Sequence, residues 1–177
     1  MLQWVGAVFT SKNANRAWRR NEEALRIHSE LLPDTLVSHT RLPRPFVSQT
    51  IRQMKAANRI ATGRPYCPPM TPRDIARLVL ALSAPSPGTA VAHERDVGRL
   101  ALSEGGGSAT VEAAIVALID TSQAAGQIAI ASSFAEIRTP SGSATYGVLP
   151  EGATNIFVIP IAAMKAIAGT LLTKENQ

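Results

Sequence analysis

Four polar residues in one short stretch, Ser48, Gln49, Arg52 and Gln53, have the types and spacing to do recognition chemistry. Arginine offers a planar pair of donors that fits guanine, glutamine a donor–acceptor pair that fits adenine, and serine is short enough to meet a phosphate. Lys55 follows closely, and Arg41, Arg44, Arg59 and Arg64 flank the stretch. Cations of this kind position a polyanion without reading its sequence. The expected chemistry is therefore binding of double-stranded DNA, with Ser48, Gln49, Arg52 and Gln53 toward base edges and Arg41, Arg44, Lys55, Arg59 and Arg64 toward the backbone. The plainer alternative is a solvated helix face that happens to be basic.

Covalent and metal chemistry have weaker claims. His28, His39 and His93 are scattered, and only His93 has a neighbouring carboxylate, Glu94, which leaves a helix in a different direction. Glu22-Glu23 belongs to a charged helix face, and Glu94 and Asp96 lie among arginines, so no carboxylate pair is set up for acid–base work. Cys67 stands between Tyr66 and Pro68 without a base, and no nucleophile-elbow pattern occurs. Gly105-Gly106-Gly107 lacks the lysine and preceding strand of a phosphate loop. Neither an enzyme nor a cofactor is expected.

Charge distribution favours the polyanion. Residues 1–77 hold thirteen Lys/Arg against five Asp/Glu, whereas residues 78–177 hold five against eight. Between Asp34 and Asp74 there is no carboxylate, yet there are seven cations: Arg41, Arg44, Arg52, Lys55, Arg59, Arg64 and Arg73. Cations there displace condensed counterions, and carboxylates would oppose them. A membrane surface fits less well, because the window lacks a continuous amphipathic helix with bulky apolar residues. No segment approaches roughly 18 uninterrupted apolar residues. A single cysteine excludes an internal disulfide framework and suits a reducing compartment. The apolar run of MLQWVGAVFT precedes its cations, the reverse of a secretory signal, so a cytoplasmic location is expected.

The elements that position these residues follow from periodicity. Residues 1–12 are expected as an arm or short strand, and residues 13–32 as a helix with Trp18, Leu25 and Leu32 on one stripe, stopped by Pro33. Asp34 is expected to cap a short helix over 35–40, before a turn over 41–44. The helix over 43–58 then buries Val47, Ile51 and Met54 at i, i+4 and i+7. This order is that of a helix-turn-helix. GRPYCPP, residues 63–69, is irregular and would hold any wing; in and just before it, Arg59, Arg64 and Tyr66 are expected either to meet a backbone phosphate or minor groove or only to solvate a linker. Thr71-Pro72-Arg73-Asp74 predicts a capped helix start, with Ile75, Leu78, Val79 and Leu82 inward and Arg73 and Arg77 outward.

The basic helix, the Gly/Pro-rich link and the capped TPRDIARLVLALSAP helix resemble the front half of small proteins encoded by phages and prophages of alphaproteobacteria, over about residues 25 to 85. In element order the whole chain is similar to phage small terminase subunits. That resemblance implies binding to viral DNA for packaging, ring-shaped homo-oligomers, contact with a large ATP-hydrolysing terminase subunit or other phage assembly protein, and the bacterial host cytoplasm. Two other functions stay open: a dimeric transcriptional regulator and a virion structural or assembly protein.

Downstream, residues 90–102 predict a short helix, residues 104–108 a flexible boundary, and residues 109–125 a small-residue helix ended by Gly126. From Gln127 the period changes to two. Residues 127–138, 143–148 and 154–159 predict three strands of an antiparallel meander, joined by turns at 139–142 and 149–152, with a covering helix opened by Pro160. The expected fold class is α+β: a helix-turn-helix DNA-binding domain over 1–87, a linker and short helix over 88–108, and an oligomerisation or partner-binding region over 109–177.

Overall fold

The computed structural model describes residues 31–62, 70–103, 109–152 and 154–172. The expected N-terminal arm, the helix up to residue 30 with His28, the loop carrying Arg64, Tyr66 and Cys67, and the glycine break at 104–108 lie outside the described residues. Helix α1, described over residues 31–40, passes through Pro33 and Asp34 without a break. Pro33 is therefore not a stop and Asp34 not a cap; proline's fixed φ is itself helical. Leu32, Thr35 and Leu36 are its buried positions.

Three residues, 41–43, connect α1 to α2 (Arg44–Ala56). Helix α2 buries Val47, Thr50, Ile51 and Met54, the expected stripe with one hydroxyl added. Helix α3 (Pro72–Leu82) starts on the expected capping box: the Asp74 amide donates to Thr71 Oγ1 at 3.2 Å, and the Thr71 amide donates to Asp74 Oδ2 at 2.8 Å. Ile75, Ala76, Leu78, Val79, Leu80, Ala81 and Leu82 are all buried, so α3 is apolar nearly all round. A helix of that kind must be surrounded. It packs against α2, α4 (Ala90–Gly98), α5 (Val111–Asp120) and α6 (Ile161–Leu172). Each fully buried isoleucine or leucine here contributes about 1.5–3 kcal/mol. A 3-10 turn, Pro87–Thr89, links α3 to α4 and lies against α2.

The sheet departs from the expected meander. It has four strands, β1 (Gln127–Ala131), β2 (Phe134–Thr139), β3 (Gly142–Gly147) and β4 (Phe157–Pro160), in the order β3-β2-β1-β4. The stretch read as one strand over 127–138 folds back at Ser132-Ser133, pairing Ala131 with Phe134 and Gln127 with Arg138. The last strand then crosses to pair with β1 instead of β3, aligning Ile128 with Ile159. The register explains the choice. Ile128 and Ile130, central on β1, gain Ile159 and Phe157 on one side and Ile137 and Ala135 on the other, all on the inner face. Gly126 and Gly147 close the strand ends at φ 122° and 70°, where a Cβ would collide with the carbonyls of Arg138 and Ser133. The class is α+β, with N-terminal helices, an antiparallel sheet and a C-terminal helix. One cluster of buried side chains extends from Leu32 to Leu171.

A candidate nucleic-acid interface on helix α2

At 100° per residue, the buried stripe of α2 faces away from Arg52 and Gln49, with Ser48 and Lys55 on one flank and Gln53 on the other. Arg52 is exposed, Gln49 beside it is half-buried, and Ser48, Gln53 and Lys55 are half-buried at the margins of the packed face. The structure thus brings these five expected residues onto one surface. Arg41, in the preceding turn, is exposed as well.

The turn before α2 and the turn after it each contain a residue in the left-handed region. Arg41 has φ 58°, and its amide donates to Val37 O at 2.9 Å, closing α1 where a glycine would be unstrained. Asn58 has φ 52° and ends α2 in a Schellman arrangement. Its amide donates to Lys55 O at 3.0 Å, and the Arg59 amide donates to Met54 O at 2.9 Å. This cap turns Arg59 back into the protein.

Arg59 is held there. Its Nε and Nη2 donate to Glu94 Oε2 and Oε1, each at 2.8 Å, and the Glu94 side chain is fully buried on α4. The hydrogen bonds to Glu94 raise the Arg59 pKa above its ordinary value, against the opposing effect of burial, so the guanidinium stays charged at any working pH. Arg77 of α3 donates from Nη1 to Arg59 O at 3.1 Å. Its Nε lies 3.3 Å from Glu112 Oε1 and 3.8 Å from Glu94 Oε1, near both carboxylates and aligned on neither. Arg73 Nε approaches Glu112 Oε1 at 3.0 Å. Three arginines and two glutamates thereby tie the end of α2 to α3, α4 and α5.

Sequence reasoning missed this cluster. The window over 34–74 is acid-free along the chain but not in space: Arg59 and Arg73 meet carboxylates from beyond it, and Arg44 Nη1 pairs with Asp34 Oδ1 at its border, at 3.0 Å and well exposed. Arg77, expected on the outer side, lies mostly inward. A signal existed in α4, where Glu94 occupies the buried stripe of Ala90 and Val97 at i, i+4 and i+7. A carboxylate there must find cations.

Among the described residues, Arg41, Arg52 and Lys55 meet no carboxylate, while Arg64 lies outside them. His93 sits beside Glu94 but faces the end of α3. The Ser83 hydroxyl donates to Leu80 O at 2.7 Å and lies 2.8 Å from His93 Nε2, which makes the histidine the donor in that contact. Burial holds the His93 pKa below its ordinary value, partly offset by the charge of Asp96. No three His, Cys, Asp or Glu among the described residues come together as metal ligands. No described helix is long and apolar enough to cross a membrane. No family model, curated protein or solved structure matches the chain.

Proposed function

We propose that the chain binds double-stranded DNA through the outer face of α2. The observation that carries this reading is the contrast between two groups of cations on and around α2. Arg59, Arg73 and Arg77 neutralise carboxylates of the protein, whereas Arg52 and Lys55 share the outer side of α2 with Ser48, Gln49 and Gln53 and, like the exposed Arg41 of the preceding turn, have no carboxylate partner among the described residues. A helix following a three-residue turn, with polar side chains on its outer face and its stripe packed on α3 and α4, has the presentation needed to enter a major groove.

Arg52 and Gln49, nearest the middle of that face, are the base-reading residues, with Ser48 and Gln53 beside them. Arg41 and Lys55 hold phosphates, and Arg44 does so when it exchanges Asp34 for a phosphate. Packaging of viral DNA, transcriptional regulation and virion assembly would all use this face. Binding as a ring with a large terminase partner marks the first, and a dimer on half-sites about one helical turn apart marks the second. The test is selection of a preferred duplex from a random pool, followed by comparison of wild type and Arg52→Ala on that duplex and on a scrambled one. The reading expects Arg52→Ala to lose preference between the two. No retained duplex at low salt would end it.

A further inference from the structure

The two edges of the sheet differ. On β3 the segment Ala101–Ser103 lies alongside: the Ser103 amide donates to Thr145 O at 2.8 Å and the Gly147 amide to Ala101 O at 3.1 Å. On β4 nothing among the described residues pairs with the outer side. The phase of that strand follows from its last bond, in which the Ile161 amide donates to Gly126 O at 3.0 Å. Ile159 and Phe157 therefore turn their main-chain groups toward β1, and Ile156, Val158 and Pro160 turn theirs away. Pro160, lacking an N–H, loses nothing in that position.

Such an edge is usually guarded by a charge, most often a lysine. Here no charged residue occurs between Glu151 and Lys165. The side chains of Ile156 and Val158 are 47% and 49% exposed and lie on the outer face of the sheet. Further from the edge that face carries Ala129 next to Val158 and then the polar side chains Gln127, Glu136, Arg138, Ser143 and Thr145.

We propose that the β4 edge is the docking surface for a second copy of this chain, the two β4 strands pairing antiparallel about a two-fold axis with Ile156 of one copy opposite Val158 of the other. An uncharged edge is complementary to itself, and two copies of one edge related by a two-fold necessarily run antiparallel, the pairing used throughout this sheet. This register uses the outward main-chain groups of Ile156 and Val158 twice over, on the order of four hydrogen bonds, and leaves the donor-less Pro160 outside its centre. It also brings the Ile156 and Val158 side chains of both copies into one apolar row on the outer face. The inference is independent of DNA binding.

The experiment is sedimentation of the full chain over a wide concentration range, for wild type, Val158→Lys and Ile156→Lys, with circular dichroism of each. Wild type is expected at twice the 18.8 kDa chain mass. Each lysine sets a charge opposite an apolar side chain of the partner, with its own symmetry mate at a diagonal position about 7–8 Å away, and raises the dissociation constant by about a hundredfold or more without changing the spectrum. Ile156 precedes the paired residues of β4, so Ile156→Lys keeps the test valid if Val158→Lys does not fold. A wild-type monomer at every concentration overturns the proposal, including the case in which residues 1–30 cover this edge and protect the Val158 amide from exchange. An assembly whose size neither lysine reduces also overturns it.

Discussion

Helix α2 uses arginine in two ways only seven residues apart. Arg52 stands on the outer face, exposed and without a carboxylate partner among the described residues; Arg59, just past the Asn58 cap, is clamped by both oxygens of a fully buried glutamate. The same side chain is left exposed in one place and bound to an internal carboxylate in the other, and the backbone direction differs between the two. Residues within α2 keep the helical direction set by Val47, Ile51 and Met54, whereas the left-handed step at Asn58 reverses the next residue inward. Local charge density therefore overstates the cations offered to a ligand.

The comparison breaks most visibly at Glu94. Glu94→Ala removes one partner of a buried pair and leaves Arg59 and Arg77 facing an empty, desolvated position; a loss of about 3–5 kcal/mol is expected in urea unfolding. Arg52→Ala should do the opposite. It is expected to weaken binding to the preferred duplex by about 1–3 kcal/mol and to change unfolding stability by less than about 0.5 kcal/mol. A large stability loss from Arg52→Ala would show that Arg52 belongs to the fold.

Arg41→Gly sharpens the contrast at the other end of α2. Glycine relieves the left-handed strain, which is expected to raise stability by up to about 1 kcal/mol, while loss of the cation weakens duplex binding in a gel-shift titration. The pH response separates the inner side of the molecule in a different way. Because burial lowers the His93 pKa, the unfolded chain takes up more protons once pH drops below about 6.5. Stability from this group is complete above that pH and declines as pH falls through the folded value; His93→Gln should remove that part of the decline in thermal unfolding at successive pH values. The smallest effect is expected from Asp34→Ala, which breaks an exposed pair and should cost no more than about 1 kcal/mol in the same unfolding assay.

Much of the helical part was legible because its signals are local. Thr71 and Asp74 lie three residues apart and form the expected capping box, and the stripe of Val47, Ile51 and Met54 needed only the helical period. The sheet was less legible. Ser132-Ser133 carries no glycine, proline or asparagine to mark a turn, so β1 and β2 read as one strand. Placement of β4 beside β1 depends on pairing across some thirty residues, which no local pattern encodes. The candidate site divides in the same way: Ser48, Gln49, Arg52, Gln53 and Lys55 share a face because one helix carries them, but the destination of Arg59 was fixed by Glu94, thirty-five residues along the chain.

The central claim, that α2 offers its outer cations to DNA while Arg59 is withheld, is tested most directly by the salt dependence of duplex binding. Wild type, Lys55→Ala and Arg59→Gln would be compared from low to moderate salt, with circular dichroism confirming that each is folded. Each phosphate contact contributes about 0.9 to the slope of log K against log salt. The account predicts that Lys55→Ala lowers the slope by about 1, and that Arg59→Gln, which removes a charge already taken up by Glu94, leaves the slope unchanged. A salt-independent wild type, or a slope that ignores Lys55, would contradict it.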